Sequence, residues 1–143
     1  RVVADERKLL QYPHNGEAHG PSADILRLLL TEAKLESDVE FMPWSRAYKI
    51  AQSEPNILLI TIIRTTEREN NFHWITKVSN TVYSFISLKQ ELDLSVSTLS
   101  EAKQKITAVI RDSNSHTYLK DRGFSEDKSI KNNDFNNSFN NLF

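Results

Sequence analysis

The segment Ile57–Ile63 constrains the fold of this chain most, because it is almost continuously apolar and rich in β-branched residues. Such a run is typical of a strand that is buried on both faces of a parallel sheet. Two shorter apolar runs, Val2–Ala4 and Val39–Met42, precede it, and residues 22–33 and 44–51 carry apolar side chains at helical spacing. This alternation predicts an α/β fold, a three-layer arrangement with helices on both faces of a parallel sheet. Right-handed crossovers on opposite sides would place Val2–Ala4 between the other two strands.

Residues that cap helices mark three further boundaries. Ser22 is the expected N-cap of the first helix, because its hydroxyl can accept a hydrogen bond from an N–H group of the first turn. Residues 98–101 read T-L-S-E, a capping box that predicts the start of a short helix. Gly123, followed by the apolar Phe124, is typical of the residue just after a helix, here one over Ser115–Arg122.

A second domain is predicted after residue 88. Ile106–Ile110 is apolar enough to form another buried strand. After Ser125 the composition changes to an asparagine-rich tail interrupted by phenylalanines. Polar tracts of this kind bury little apolar surface, so we expect the tail to fray.

The composition excludes several functional classes. The chain has 143 residues and a net charge of −1, so it lacks the basic excess that binds phosphate backbones, and we expect no nucleic acid partner. It has no cysteine, which excludes disulfides, thiolate metal ligands and cysteine nucleophiles. The four histidines lack metal-ligand spacing, and three glycines are too few for a phosphate-binding loop. Since no nucleophile motif occurs either, we expect no metal, no cofactor and no catalytic residue.

Three loops are candidates for ligand binding, because ligands of open parallel sheets bind at the carboxyl ends of the strands. These loops lie over residues 5–12, 64–69 and 111–115. Arginines in the second and third loops offer planar forks of N–H donors that match a carboxylate. Hydroxyls and backbone N–H groups at helix starts can bind the other oxygens of an anion. Tyr12 in the first loop can cover the apolar part of a ligand or bind a cation over its ring.

Purely structural explanations remain open for the same residues. The charged residues of 64–69 could form a solvated turn that binds nothing. Tyr12 precedes a proline and could be a packed loop aromatic, while Trp44 fits the buried face of the second helix.

Several motifs occur in an order that is similar to that of a known family. They read G-P-S-A-D-I at 20–25, F-M-P-W-S-R-A at 41–47, R-T-T-E-R-E at 64–69 with F-H-W at 72–74, and Y-L-K-D-R-G-F at 118–124. Residues 41–47 are similar to the pW.RA segment of solute-binding family 3, and residues 64–74 are similar to its sRTpeRe..F.W stretch. The chain therefore resembles the amino-acid-type extracellular solute-binding proteins of bacterial ABC uptake systems over nearly its whole length.

The resemblance implies a function and a set of site residues. In that family the second arginine of the sRTpeRe stretch usually binds a ligand carboxylate, a role that falls here on Arg68 with Thr65 as a hydroxyl donor. The ligand-binding residues that it implies are Arg68, Thr65, Arg64, Tyr12, Ser113 and Asn114. The chain would bind a small carboxylate-bearing solute, such as an amino acid, and would not transform it.

The resemblance also implies a location, a partner and an organisation. We expect a periplasmic protein whose signal peptide has been removed, with an ABC permease of the membrane as partner. Residues 1–88 would form the first lobe and residues 89–143 the beginning of a second, truncated one. Truncation would leave an unpaired edge at Ile106–Ile110 and uncovered apolar surface around Leu119 and Phe124, so we expect self-association.

A second function belongs to another class. The chain could be a sensory or interaction domain that derives from a solute-binding lobe and no longer binds ligand. Retention of Thr65 and Arg68 favours binding, whereas an incomplete second lobe favours the alternative.

Overall fold

The structure is a computed structural model that describes residues 1–88 and 96–141. The chain divides into two compact units, Arg1–Thr81 and Val82–Phe143. Parallel sheets and helices occur together, which confirms the predicted α/β class. The domain boundary predicted after residue 88 borders on residues outside the described part of the chain. The assignment of the two units as solute-binding lobes stays a prediction.

The secondary-structure elements of the described residues are short. The strands are β1 (Val2–Ala4), β2 (Tyr12–His14), β3 (Glu17–His19), β4 (Val39–Phe41), β5 (Leu58–Ile60), β6 (Thr107–Ile110) and β7 (Ser129–Asn132). The α-helices are α1 (Pro21–Glu32), α2 (Trp44–Ser53), α3 (Leu99–Ala102), α4 (Asn114–Asp121) and α5 (Phe135–Asn140). None of these helices combines the length and the apolar character that crossing a membrane requires.

The first unit is built on a parallel sheet with the strand order β4-β1-β5. Val2 lies opposite Val39 on one side and opposite Leu58 on the other. This confirms the prediction that Val2–Ala4 is the middle strand. The third strand is shorter than expected, because β1 ends at Ala4, opposite Ile60, and the residues that follow have no neighbouring strand there.

The core of the first unit lies between this sheet and α1. Val2, Ala4 and Ile60 form a cluster with Leu26 of the helix. Burial of an aliphatic side chain such as Val2 or Leu26 contributes roughly 1.5–3 kcal/mol. The residues of β1 are buried throughout, so this short strand is the centre of the unit.

The helix α1 begins at a different residue from the one predicted. Gly20, with φ of 104°, is the N-cap, and Pro21 is the first helical residue. Ser22 therefore lies inside the first turn and is buried, so its prediction as N-cap was wrong. Proline is favoured at a first helical position because its missing N–H would have no helical partner there.

The asparagine-rich tail folds over the part that the structure describes, up to residue 141, contrary to the prediction that it frays. Within it, β7 pairs in parallel with β6, with Thr107 opposite Ser129. The helix α5 follows, and Asp134 caps it by accepting a hydrogen bond from the N–H of Asn137 at 2.8 Å. A ladder needs only backbone N–H and C=O groups, so a polar segment can form one. The strand β7 covers one edge of β6, and among the described residues the other edge has no neighbouring strand, in line with the predicted unpaired edge.

The capping predictions for the second unit are confirmed. Thr98 and Glu101 form the capping box at the start of α3. At the end of α4, the N–H of Phe124 donates to the carbonyl of Leu119 at 3.0 Å, and that of Gly123 to Lys120 at 3.0 Å. Leu119 and Phe124 are buried in one cluster. The expectation of uncovered apolar surface around them was therefore wrong.

We expect Gly20→Ala to destabilise the protein by about 1–3 kcal/mol, because a Cβ there would lie 2.5 Å from the Leu10 carbonyl oxygen at a φ of 104°. Gly16→Ala is the matched control, since φ is 85° there but no atom lies within 4 Å of the added Cβ. Urea unfolding of both variants gives the comparison. Equal losses of stability in the two variants would show that the contact with the Leu10 carbonyl does not determine which side chains residue 20 tolerates.

The Glu101 carboxylate should titrate below the usual range of glutamate. Its pKa is lowered mainly because it accepts hydrogen bonds from the backbone N–H groups of Ser97 and Thr98, at 2.7 and 3.1 Å. A lowered pKa means that the capping contribution is present above the ordinary glutamate pKa and is lost as pH falls through the folded value. Carboxyl NMR titration measures this directly, with Glu101→Gln to assign the signal. A midpoint at or above the ordinary value would contradict the capping box.

Candidate functional site

The carboxyl ends of β4, β1 and β5 lie at one edge of the first unit's sheet, because the three strands are parallel. The helices α1 and α2 connect these strands, so both begin at this edge. Residues that follow a strand and residues that open a helix therefore meet here. Ligands of α/β sheets bind at such edges, and helix N-termini favour anions there.

Arg68 is buried at this edge. Only 6% of the residue is exposed, and its Nη1 donates to the carbonyl of Ile63 at 3.4 Å. Its guanidinium carbon lies 4.9 Å from the centre of the Tyr48 ring and 5.6 Å from that of Trp44. A cation over aromatic faces is stabilised by the ring quadrupoles, and the effect grows when water is excluded.

The rings under Arg68 come from one face of α2. Trp44 and Tyr48 are one turn apart and stack with their centres 5.4 Å apart and an interplanar angle of 22°. Phe72 and Trp74 continue the row, with 5.8 Å between Tyr48 and Phe72 and 5.9 Å between Phe72 and Trp74. We call these four residues the aromatic row. Trp44 is buried, as predicted for a core residue, and it also contacts the guanidinium.

Tyr12, the predicted aromatic wall, lies in the hairpin of β2 and β3. Its ring stacks on that of His19, which is opposite it in the ladder, with the centres 6.1 Å apart. The rings against Arg68 are those of Trp44 and Tyr48 instead. Tyr48 was not among the predicted site residues, although its spacing of four residues from Trp44 placed both on one helical face.

The loop after β1 brings a second arginine to the aromatic row. The guanidinium carbon of Arg7 lies 5.6 Å from the centre of the Trp44 ring, and its Nε donates to Asp5 Oδ2 at 2.9 Å. Asp5 itself is buried. Arg7 was not among the predicted site residues, because nothing in its local sequence indicates that the loop folds back towards α2.

Gln11 joins the loops that follow β1 and β5. It is completely buried, and its Nε2 lies 3.3 Å both from the carbonyl oxygen of Asp5 and from the hydroxyl of Thr61. The Thr61 hydroxyl also lies 3.4 Å from Gln11 Oε1. This amide therefore fixes the position of both loops relative to the sheet edge.

Three buried oxygens of the first unit have no hydrogen-bond partner among the described residues. They are Asp5 Oδ1, Ser22 Oγ and Thr65 Oγ1. The carbonyl of Thr65 accepts a hydrogen bond from the N–H of Arg68 at 3.1 Å, so its side chain belongs to the same turn. A buried polar atom without a partner costs about 1–3 kcal/mol, and a bound ligand can remove that cost.

Arg64 lies at the other end of the aromatic row. Its guanidinium is over the ring of Trp74, with 5.2 Å to the centre, and forms a two-point ion pair with Glu69 in which Nε lies 2.8 Å from Oε2. The Arg64 guanidinium holds the pKa of Glu69 below its ordinary value. Arg64 thus fits the interpretation of residues 64–69 as a solvated, charged turn. Arg68 in the same loop does not fit it, because Arg68 is buried.

Ser113 and Asn114 belong to the second unit, where they begin α4. Ser113 is the N-cap, and its Oγ accepts from the N–H of His116 at 3.3 Å and lies 2.8 Å from Ser115 Oγ. Asn114 is the first helical residue. These contacts explain Ser113 as a capping residue without any ligand.

Comparison with known proteins does not assign this chain to a family. The chain matches no protein-family model, and no curated protein matches it. Within residues 1–88 and 96–141, no group of three or more acidic, histidine or cysteine side chains could hold a metal ion.

We expect Gln11→Ala to destabilise the protein by about 1–3 kcal/mol, because the carbonyl of Asp5 and the Thr61 hydroxyl would lose a buried partner. Gln52→Ala is the control, since this glutamine is exposed and its side chain contacts only the Tyr48 hydroxyl in the hydrogen bonds described. The control should change stability by less than about 0.5 kcal/mol. Chemical denaturation that gives similar values for both variants would contradict the joining role of Gln11.

Proposed function

We propose that the chain binds a small solute that carries a carboxylate, such as an amino acid, at the carboxyl edge of the β4-β1-β5 sheet. The observation that carries this proposal is the burial of the Arg68 guanidinium at that edge, over the rings of Trp44 and Tyr48. Burial of a charge is expensive unless it is compensated, so a buried arginine in a loop indicates a specific interaction.

A carboxylate fits the groups that surround Arg68. A guanidinium offers parallel N–H donors in the geometry of the two carboxylate oxygens. The Thr65 hydroxyl, buried and without a partner among the described residues, can donate to one of these oxygens. The helices α1 and α2 begin at this edge, and their N-terminal dipoles favour a negative charge.

We also propose the three-layer arrangement of a solute-binding lobe for the first unit. Val2 and Ala4 face Leu26 of α1, so Val3 faces the opposite side of the sheet, since side chains alternate along a strand. Val3 is nonetheless buried, and α2 packs against β1 and β5. These observations favour α2 as the cover of the second face.

The biological setting of the proposal comes from the family resemblance. A periplasmic solute-binding protein delivers its solute to an ABC permease, and we propose that role for this chain. The alternative, a sensory or interaction domain that binds no solute, uses the same fold without the ligand.

The test begins with a thermal-shift screen of the twenty amino acids and small organic acids, because a ligand stabilises the native state by mass action. Calorimetric titration of the hits then compares wild type with Arg68→Lys, which keeps the charge but loses the planar fork. We expect affinity to fall about ten- to a hundredfold, or roughly 1.5–3 kcal/mol.

Arg122→Lys is the matched control, since Arg122 also lies over a tyrosine, 5.1 Å from the centre of the Tyr118 ring, but is exposed. It should bind as wild type does. Equal affinities of wild type and Arg68→Lys would overturn the assignment of Arg68. A screen without any hit would favour the sensory or interaction domain.

A further inference from the structure

One face of the β2–β3 hairpin carries two histidines and a carboxylate. In the ladder, Tyr12 lies opposite His19, and His14 lies opposite Glu17. Side chains alternate along a strand, and paired residues project from the same face, so these four side chains share one face of the hairpin. The rings of His14 and His19 are diagonal neighbours there, with their centres 5.3 Å apart. The fold thus gathers nitrogen and oxygen donors that are separated in the sequence.

The backbone that carries these side chains is fixed on two sides. Asn15 and Gly16 form the turn between the strands with φ of 50° and 85°, and positive φ at both positions is typical of a type I′ turn. On the other side, β3 packs against α1, and Arg27 of this helix donates from Nη2 to the carbonyl of Ala18 at 3.0 Å. A ligand of the hairpin face therefore does not have to order the backbone first, which favours binding.

The two imidazoles have the spacing of ligands that share one metal ion. With metal–nitrogen distances of about 2.0–2.1 Å, two imidazoles on a tetrahedral ion have ring centres about 5 Å apart. The separation of 5.3 Å between His14 and His19 is close to this value. Their rings are now nearly perpendicular, at 88°. His14 is exposed, and an exposed side chain changes its rotamer within picoseconds to nanoseconds, so its ring can turn towards an ion.

Glu17 places a negative charge beside the same imidazoles. Its Oε2 lies 3.9 Å from His19 Nε2. Two ligand atoms of one tetrahedral zinc ion are about 3.4 Å apart, so Glu17 is not placed as a third ligand. This agrees with the absence, among the described residues, of any metal-holding group of three or more acidic, histidine or cysteine side chains. The carboxylate instead attracts a cation to the two imidazoles by its charge.

We propose that His14 and His19 bind a divalent transition-metal ion, with water in the remaining coordination positions. Imidazole nitrogen suits zinc, copper and nickel, whereas magnesium and calcium prefer oxygen ligands. The two histidines lack the four-residue spacing of histidine ligands on a helix, but a hairpin brings residues five apart together across its ladder. This site goes beyond the proposed function and needs no solute, so each can fail without the other.

Calorimetric titration of the chain, without an affinity tag or any solute, tests the site with Cu²⁺, Ni²⁺, Zn²⁺ and Mg²⁺. We expect Cu²⁺ to bind most tightly, Ni²⁺ and Zn²⁺ less tightly and Mg²⁺ not measurably, which is the order for nitrogen ligands. The variants His14→Gln and His19→Gln should each weaken Zn²⁺ binding at least about tenfold, because even the loss of a group behind a metal ligand costs 10- to 100-fold. His73→Gln is the matched control, since this histidine is exposed but lies outside the hairpin, and it should bind as wild type does.

The NMR signals of the histidine rings locate the ion in the wild-type chain. Zn²⁺ should shift the signals of His14 and His19 and leave those of His73 and His116 unchanged. Wild-type affinity in both hairpin variants, equal shifts of all four histidines, or no binding of Cu²⁺, Ni²⁺ or Zn²⁺ would overturn the site. A loss with Glu17→Gln as large as with the histidine variants would overturn the assignment of two histidine ligands. Should His19→Gln fail to fold, because it loses the stack with Tyr12, the variant of the exposed His14 still decides.

Discussion

The pairing of β1 with a parallel strand on each side is the interaction on which the first unit depends. Because Val2–Ala4 is the middle strand, both of its edges are bonded and its side chains are buried on both faces. The end of β1 therefore lies between the ends of β4 and β5. Residues that are distant in sequence, such as Asp5, Trp44 and Arg68, reach the same edge only because this pairing holds the three strands in parallel.

The sequence predicted the order of this sheet, because apolar runs separated by helical periodicity and right-handed crossovers leave few arrangements. It did not predict the lengths of the strands. Ile57–Ile63 has the pattern of a long strand, yet β5 ends at Ile60, where its neighbour β1 ends. The pairing of Ser129–Asn132 with β6 was missed for a related reason. A strand is defined by its partner's backbone, and the hydrophobic pattern of one segment reports only on its own burial.

The resemblance to a family motif predicted a binding role for Arg68. The residues that surround Arg68 are brought to it by tertiary contacts, which no local motif indicates. Gln11 and Thr61 are 50 residues apart in the sequence, and their contact is what fixes the loops after β1 and β5. No local pattern signals such a pair. Tyr48 is a different case, because its helical spacing from Trp44 was visible in the sequence. It was missed because an aromatic residue on a helix is explained by core packing unless a cation is known to lie over it.

Buried polar groups at this edge of the sheet lower the stability of the free protein, and the same groups are able to bind a ligand. Arg68 and Asp5 are each 6% exposed, and burial of a charged group carries a desolvation cost. The rings under Arg68 and the Arg7 partner of Asp5 offset part of the desolvation. Asp5 Oδ1 and Thr65 Oγ1 have no hydrogen-bond partner among the described residues, which costs about 1–3 kcal/mol for each atom. Under the proposed function, a solute that supplies their partners would recover this free energy on binding, so the groups that weaken the free protein would also select the ligand.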